Sequence, residues 1–211
     1  MSLSVQELAE WVSIAKDVTT ALAAAVGATV AARGLNAWKK QLRGKTDYEL
    51  SRRLLRAVYK VRDSIPQVRS PMIFEGERDE AIGEAKLTPE ALKENFAAQS
   101  SYAVYRKRWL KLSDAVRDLD AEIFEAEVSW GKEIKVKCGA LKKQLALLQW
   151  SIQMHLSQKQ QPTPSPLSKE QVTEVNRVLF DLSEESKPDS FTLEVNKAVE
   201  AVETLLQPHL K

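Results

Sequence analysis

A heptad pattern between Tyr102 and Ile134 constrains the fold of this chain more than any other feature. Apolar side chains recur there at alternating steps of three and four, so they line one stripe of an α-helix over about eight turns. The positions are Tyr102, Tyr105, Trp109, Leu112, Val116, Leu119, Ile123, Ala126 and Trp130, with Ile134 following close behind. A stripe of this length needs a partner helix of similar length, so the pattern predicts a bundle of long helices.

A second apolar stripe follows Gly131 and supplies that partner. It consists of Ile134, Cys138, Leu141, Leu145, Leu148, Ile152 and His155. The sequence Thr88-Pro89-Glu90 predicts a helix start, with a capping hydroxyl and proline at the first helical position. One helix from Pro89 to His155 would be about 100 Å long, so we expect a break at Gly131 and an antiparallel hairpin.

The segment before this hairpin predicts another amphipathic helix. Gly44 interrupts the pattern and Thr46 is a candidate N-cap, so we expect a helix from Asp47 to Ile65 that ends at Pro66. Its expected core face is Leu50, Leu54, Ala57, Val58, Val61 and Ile65. Residues 72–87 are predicted to form an acidic connector with a short helix near 79–84.

The predicted fold is therefore all-α, with antiparallel helical hairpins and a small C-terminal helical hairpin. Residues 158–167 have the composition of a Pro-rich linker, and Ser168 to Gln171 matches a capping box. We divide the chain into an N-terminal helix (1–41), a helical bundle (42–157), the linker (158–167) and the C-terminal hairpin (168–211).

Residues 18–32 carry no charge, and the low-charge stretch extends to Trp38. These 21 residues are long enough to cross about 30 Å of hydrocarbon. The strongly apolar members are Val18, Leu22, Val26, Val30 and Leu35, and the rest are mostly small. We interpret 18–38 as a candidate transmembrane span. A buried Ala-rich helix of a soluble protein and a helix lying in the membrane surface are the alternatives.

The charge distribution favours the membrane interpretation. Between Arg33 and Arg69, eleven Lys or Arg accompany three acidic residues, a net charge of +8, whereas the segment before the span is acidic. By the positive-inside rule, the C-terminal part of such a single-pass protein is cytoplasmic, with Trp11 and Trp38 as interface anchors. The candidate contacts to anionic lipid or phosphate are Arg33, Lys39, Lys40, Arg43, Lys45, Arg52, Arg56 and Lys60.

The sequence predicts no catalytic residue, no cofactor and no metal site. Gly44-Lys45-Thr46 resembles the end of a phosphate-binding loop, but Lys39 occupies the position where that motif needs glycine. Cys138 and His155 are 17 residues apart on one predicted helix, about 25 Å, and cannot share a metal ion. Neither histidine has glutamate three residues before it, as a di-metal bundle site requires. We therefore expect a protein that is not an enzyme.

Three segments together resemble an uncharacterised group of bacterial proteins. They are residues 38–55, residues 61–71 and residues 125–131, read as WKKQLRGKTDYELSRRLL, VRDSIPQVRSP and EAEVSWG. Proteins of this group have a predicted N-terminal transmembrane helix followed by a cytoplasmic helical region. The resemblance covers about residues 10–150 and implies topology alone, with no functional residue to carry over.

The charge and apolar patterns predict a non-catalytic, membrane-anchored helical interaction or scaffold protein, and the resemblance implies the bacterial inner membrane as its location. Membrane lipids are the expected partners of its N-terminal helix, and a protein partner or self-association is compatible with the heptad stripes. The alternative is a soluble cytoplasmic regulatory bundle that binds nucleic acid or acidic partners through its basic helix. Nucleic acid is the less favoured partner because few aromatic residues accompany the basic ones and no recognition motif is present.

Overall fold

In a computed structural model of the chain, the described residues are 5–160, 167–181 and 189–210, without the side chains of 5–10 and 12–15. All regular structure in these ranges is helical. The elements are α1 (Val5–Arg69), α2 (Glu75–Ala85), α3 (Pro89–Glu94), α4 (Phe96–Trp130), α5 (Glu133–Gln160), α6 (Lys169–Leu179), α7 (Ser190–Leu206) and a 3₁₀ helix (Gln207–Leu210). The predicted all-α fold is confirmed.

The chain divides into two compact units, an N-terminal unit (Met1–Asp47) and a C-terminal unit (Tyr48–Lys211). The predicted bundle and the predicted C-terminal hairpin share one hydrophobic core in the second unit. Residues 158–160 of the predicted linker belong to α5, and residues 161–166 lie outside the described residues.

The C-terminal unit is an antiparallel bundle, and its side-chain contacts fix the helix directions. Arg53 and Lys60 of α1 pair with Glu122 and Asp118 of α4, so these two helices run in opposite directions. The two arms of the α4–α5 hairpin are joined by Lys142 and Asp120 near the middle. Contacts from Lys135 to Glu127 and from Lys159 to Ser101 lie towards the two ends of the same hairpin.

Both predicted apolar stripes of the hairpin face the core. Every member of the α5 stripe from Ile134 to Ile152 is buried, and all six expected core residues of α1 are buried as well. In the α4 stripe, however, Tyr102 is 42 % exposed. The first turns of α4 instead bury Ala103 and Val104 against Ala81 of α2, which turns Tyr102 outward.

Local side-chain chemistry accounts for most helix ends. The Thr88 hydroxyl accepts a hydrogen bond from Ala91 N–H (3.3 Å), as predicted. The capping box at Ser168 is also confirmed, because both of its hydrogen bonds with Gln171 are formed. Gly131 ends α4 with φ = 88° and ψ = −172°, a conformation essentially restricted to glycine, so the predicted break is confirmed.

Three predicted helix boundaries were wrong. First, α1 continues through Gly44, because the Thr46 hydroxyl donates to Leu42 C=O (3.0 Å) instead of capping a new helix. Second, α1 continues beyond Pro66 and ends at Arg69. The side chains of Val68 and Arg69 are buried, which holds this last turn in place.

The third error lies before α4. The helix that starts at Pro89 ends at Glu94, since Asn95 caps a new helix by accepting a hydrogen bond from Ala98 N–H (3.0 Å). The acidic connector also contains a longer helix than expected, α2, with Glu75 and Glu77 in its first turn.

Candidate membrane-contact surface

The part of α1 in the N-terminal unit carries an exposed apolar stripe. Val18, Leu22, Val26 and Val30 are spaced four residues apart and are 52–63 % exposed. At 100° per residue they lie within about 120° of the helix circumference, so they form one stripe. Leu35, Trp38 and Leu42 are also more than half exposed.

This part of α1 is long and apolar enough to cross a membrane, a criterion of length and composition that the core helix of a soluble protein and a signal sequence also meet. In the described part of the chain, none of its most apolar 18-residue window is buried.

The threonines of this segment satisfy their own hydroxyl groups. Thr19 and Thr20 each donate to Lys16 C=O, and Thr29 donates to Val26 C=O, all at 2.8 Å. A hydroxyl bonded to its own helix backbone costs less to transfer into hydrocarbon than a free hydroxyl. The three polar side chains are therefore compatible with an apolar environment.

Two exposed tryptophans bracket the segment. Trp11 and Trp38 are 65 % and 62 % exposed. Trp11 and Trp38 are 27 positions apart, which corresponds to about 40 Å along the helix, close to the thickness of a bilayer with its interfacial regions. Tryptophan is enriched at both membrane interfaces, so this spacing fits one interface anchor at each end.

The structure separates the eight predicted phosphate contacts into two groups. Arg33, Lys39, Lys40 and Arg43 belong to the N-terminal unit, are exposed, and have no ion pair among the residues that the structure describes. No acidic residue occurs between Asp17 and Asp47, so Asp47, four residues after Arg43, is the carboxylate nearest to them in the chain. Lys45 is also exposed but is engaged in an interaction within the structure.

The other group, in the C-terminal unit, is partly occupied by contacts within the protein. The Lys60 ammonium lies 2.6 Å from the Asp118 carboxylate, and the Arg52 guanidinium lies 5.6 Å from the centre of the Tyr48 ring. Arg56 is exposed, with no ion pair in the described ranges. Sequence reasoning missed Arg53, which pairs with Glu122 at 3.1 Å. Arg53 and Glu122 are 69 residues apart, and no pattern in the sequence links them.

Arg69, also not predicted, is the most heavily bonded side chain of the C-terminal unit. Its guanidinium is 1 % exposed and donates to Val178 C=O (2.7 Å), the Thr192 hydroxyl (2.8 Å) and the Asp189 carboxylate (2.5 Å). It also donates to the carbonyls of Arg177 and Phe180. Burial acts to raise the pKa of Asp189, but hydrogen bonds from Arg69 and Thr192 N–H outweigh it and lower that pKa below its usual value.

Arg108 is a second buried arginine with a structural set of partners. It donates to both carboxylate oxygens of Glu77 and to the carbonyls of Ser70 and Met72, each at 2.7 Å. These bonds attach the segment between α1 and α2 to α4. The hydrogen bond from Arg108 is also the main reason why the pKa of Glu77 is lowered.

Cys138 and His155 are both packing residues of α5. Burial raises the pKa of the Cys138 thiol to about 11, which leaves little nucleophilic thiolate at neutral pH. The His155 ring packs edge-on against Tyr105 (5.8 Å) and Phe180 (5.4 Å), and burial lowers its pKa to about 4. In the described ranges, no three His, Cys, Asp or Glu side chains are grouped so that they could hold a metal ion.

Gly44-Lys45-Thr46 is part of the continuous helix α1. A phosphate-binding loop needs successive free backbone N–H groups, which the interior of a helix does not offer. The tripeptide is therefore not arranged as such a loop.

Comparison of the chain with protein-family models, curated proteins and solved structures gives no match in any of the three.

Proposed function

We propose that this chain is a non-catalytic, membrane-anchored helical interaction or scaffold protein. Residues 18–38 form its single transmembrane span, and the C-terminal unit lies in the cytoplasm of a bacterium, next to the inner membrane. The observation that carries the proposal is the segment 18–38, which is long and apolar enough to cross a membrane and exposes the stripe of Val18, Leu22, Val26 and Val30. An exposed apolar surface of this length is unfavourable in water and is stabilised in a bilayer.

The non-catalytic part of the proposal is supported by the roles of the potentially reactive side chains. Cys138 is buried in the core and His155 is half-buried, and burial raises the pKa of the thiol and lowers the pKa of the imidazole, so the uncharged form of each side chain is favoured. Arg69 and Arg108 use their guanidinium groups to join segments of the bundle. These residue types often carry chemistry in enzymes, and here their contacts maintain a packed scaffold.

Extraction of the full-length protein from membranes with alkaline carbonate tests the anchor. We expect the wild type to stay with the membrane and the variant Leu22→Asp/Val26→Asp to be released. The five strongly apolar residues contribute roughly −1.5 to −3 kcal/mol to insertion, whereas two aspartates at the centre of a span cost about 5 to 7 kcal/mol. Leu110→Asp, at an exposed site on α4, is the matched control and should behave as wild type.

The proposal fails if the wild-type protein is fully soluble after lysis without detergent. It also fails if the double variant is retained as well as the wild type. A truncated variant beginning at Leu42 gives a second reading, since it lacks residues 18–38 and should be soluble.

Protease treatment of spheroplasts tests the orientation. With the C-terminal unit in the cytoplasm, protease added outside should leave that unit intact until the membrane is permeabilised. Digestion of the C-terminal unit in intact spheroplasts would show the opposite orientation.

A further inference from the structure

The segment of α1 that follows the apolar stripe has two chemically different faces. Four cations, Arg33, Lys39, Lys40 and Arg43, have no ion pair with any residue that the structure describes, and at 100° per residue they fall within about 120° of the helix circumference. Leu35, Trp38 and Leu42 fall within about 60°, on a separate part of the circumference. All seven side chains are exposed. We call the four cations the basic face of α1.

The position of the basic face along α1 places it at a membrane interface. With Trp38 as the interface anchor, Lys39, Lys40 and Arg43 lie within about 8 Å of it on the side away from the span. Arg33 lies about 8 Å from Trp38 on the other side, within the distance that a snorkelling arginine covers. All four charged groups therefore reach the depth of phospholipid headgroups.

The charge of this face selects the class of headgroup. It carries four positive charges, and the described structure supplies no carboxylate to any of them. A zwitterionic headgroup brings a cation along with its phosphate, whereas an anionic headgroup brings net negative charge. Anionic lipids attract juxtamembrane basic residues by an amount that corresponds to about five-fold in association per Lys or Arg.

We propose that the basic face of α1 binds anionic phospholipid headgroups in preference to zwitterionic ones. This inference rests on the proposed membrane anchor and adds a lipid partner to it. It also divides the eight basic residues predicted from sequence. Arg52, Arg56 and Lys60 form the other group, which belongs to the C-terminal unit and is assigned no part in lipid selection. Lys60 already pairs with Asp118 and Arg52 stacks on Tyr48, whereas Arg56 is exposed and has no ion pair in the described ranges.

The test uses the full-length protein reconstituted in phosphatidylcholine vesicles with traces of spin-labelled lipid. The fraction of motionally restricted label gives the association of phosphatidylglycerol relative to phosphatidylcholine. We expect a preference of about five-fold or more for phosphatidylglycerol in the wild type. It should disappear near 1 M salt, where the Debye length is about 3 Å.

Two triple variants with the same change in charge separate the two groups of residues. Lys39→Gln/Lys40→Gln/Arg43→Gln should lower the preference several-fold, to the part that Arg33 alone supplies, whereas Arg52→Gln/Arg56→Gln/Lys60→Gln should leave it unchanged. Lys39→Arg/Lys40→Arg retains both charges and should retain the preference. Carbonate resistance of the same samples shows in each case whether the protein is inserted.

The outcomes distinguish a failure of the lipid inference from a failure of the anchor. Insertion without a preference for phosphatidylglycerol overturns the lipid inference and leaves the anchor standing. A preference that the second triple variant abolishes as strongly as the first overturns the division between the two groups. Absence of insertion overturns both proposals.

Discussion

Replacement of Arg69 by methionine should destabilise the C-terminal unit more than any substitution of an exposed arginine. The variant keeps most of the apolar volume of the side chain but removes every hydrogen bond of the guanidinium. The Asp189 carboxylate then keeps its bond from Thr192 N–H (2.7 Å) and loses its cationic partner. The carbonyls of Val178 and Phe180 lose their donor as well.

The size of the effect follows from the burial of the pair. Removing one partner of a buried ion pair costs about 3–5 kcal/mol, since the remaining charge is left without compensation. The Asp189 side chain is 20 % exposed and water can partly solvate it, so we expect about 3–4 kcal/mol. At a urea dependence of about 2 kcal/mol per molar, this lowers the unfolding midpoint by roughly 2 M.

The assay is urea unfolding of the detergent-solubilised protein, followed by tryptophan fluorescence. Arg52→Met is the matched control, because Arg52 lies on the same helix but is exposed, and its effect should stay below about 0.5 kcal/mol. The cycle with Asp189→Asn, which keeps the capping oxygen, should give a coupling energy of about 1–3 kcal/mol. An Arg69→Met variant within about 1 kcal/mol of wild type would refute the assignment of Arg69 as the central connection of the unit.

Three further predictions concern single residues of α5 and its boundary. Cys138 should react with a thiol reagent at pH 8 at least about 100-fold more slowly than in urea-unfolded protein, since a pKa of about 11 leaves little thiolate; equal rates would contradict its burial. The pKa of His155 is about 6.5 in the unfolded state and about 4 in the folded state, so the unfolded state takes up the proton first as the pH decreases. The free energy of unfolding should therefore fall between about pH 6.5 and pH 4, by at most about 3 kcal/mol. His155→Gln should remove that part of the pH dependence, and an unchanged slope would exclude the buried imidazole as its source. Gly131→Ala should cost about 1–3 kcal/mol in thermal unfolding because alanine is strained at φ = 88°, whereas Gly139→Ala inside α5 should be neutral or stabilising.

The spacing of apolar residues was sufficient to predict the core faces of α1 and α5, because the burial of a long stripe depends on many residues at once. One polar substitution does not change the phase of a stripe that runs from Ile134 to Ile152. Helix boundaries depend on single residues and were harder to predict. The cap at Asn95 was overlooked, although asparagine before an alanine-rich run is a helix-start signal. Pro66 is accommodated within the last turn of α1 because Val68 and Arg69 are held by contacts far away in sequence.

The partners of the candidate lipid-contact residues were also hard to predict from the sequence. Sequence identified the eight basic residues but not which of them have partners. Lys60 pairs with Asp118, which is 58 residues further along the chain. Arg53 pairs with Glu122, which is 69 residues further along. Such pairings depend on the packing of α1 against α4, and no local pattern in α1 specifies them. The unpaired state of Lys39 and Lys40 was easier to anticipate, since no acidic residue is near them in the chain.

The bonds of Arg69 also determine when the C-terminal unit can be finished during synthesis. Its carboxylate partner, Asp189, is 120 residues further along the chain. A ribosome adding about 5–20 residues per second needs roughly 6–24 s to deliver that partner. In that interval the end of α1 holds a cation whose final environment does not yet exist. A nascent chain of this protein should therefore stay open to chaperones and proteases until α7 has been made.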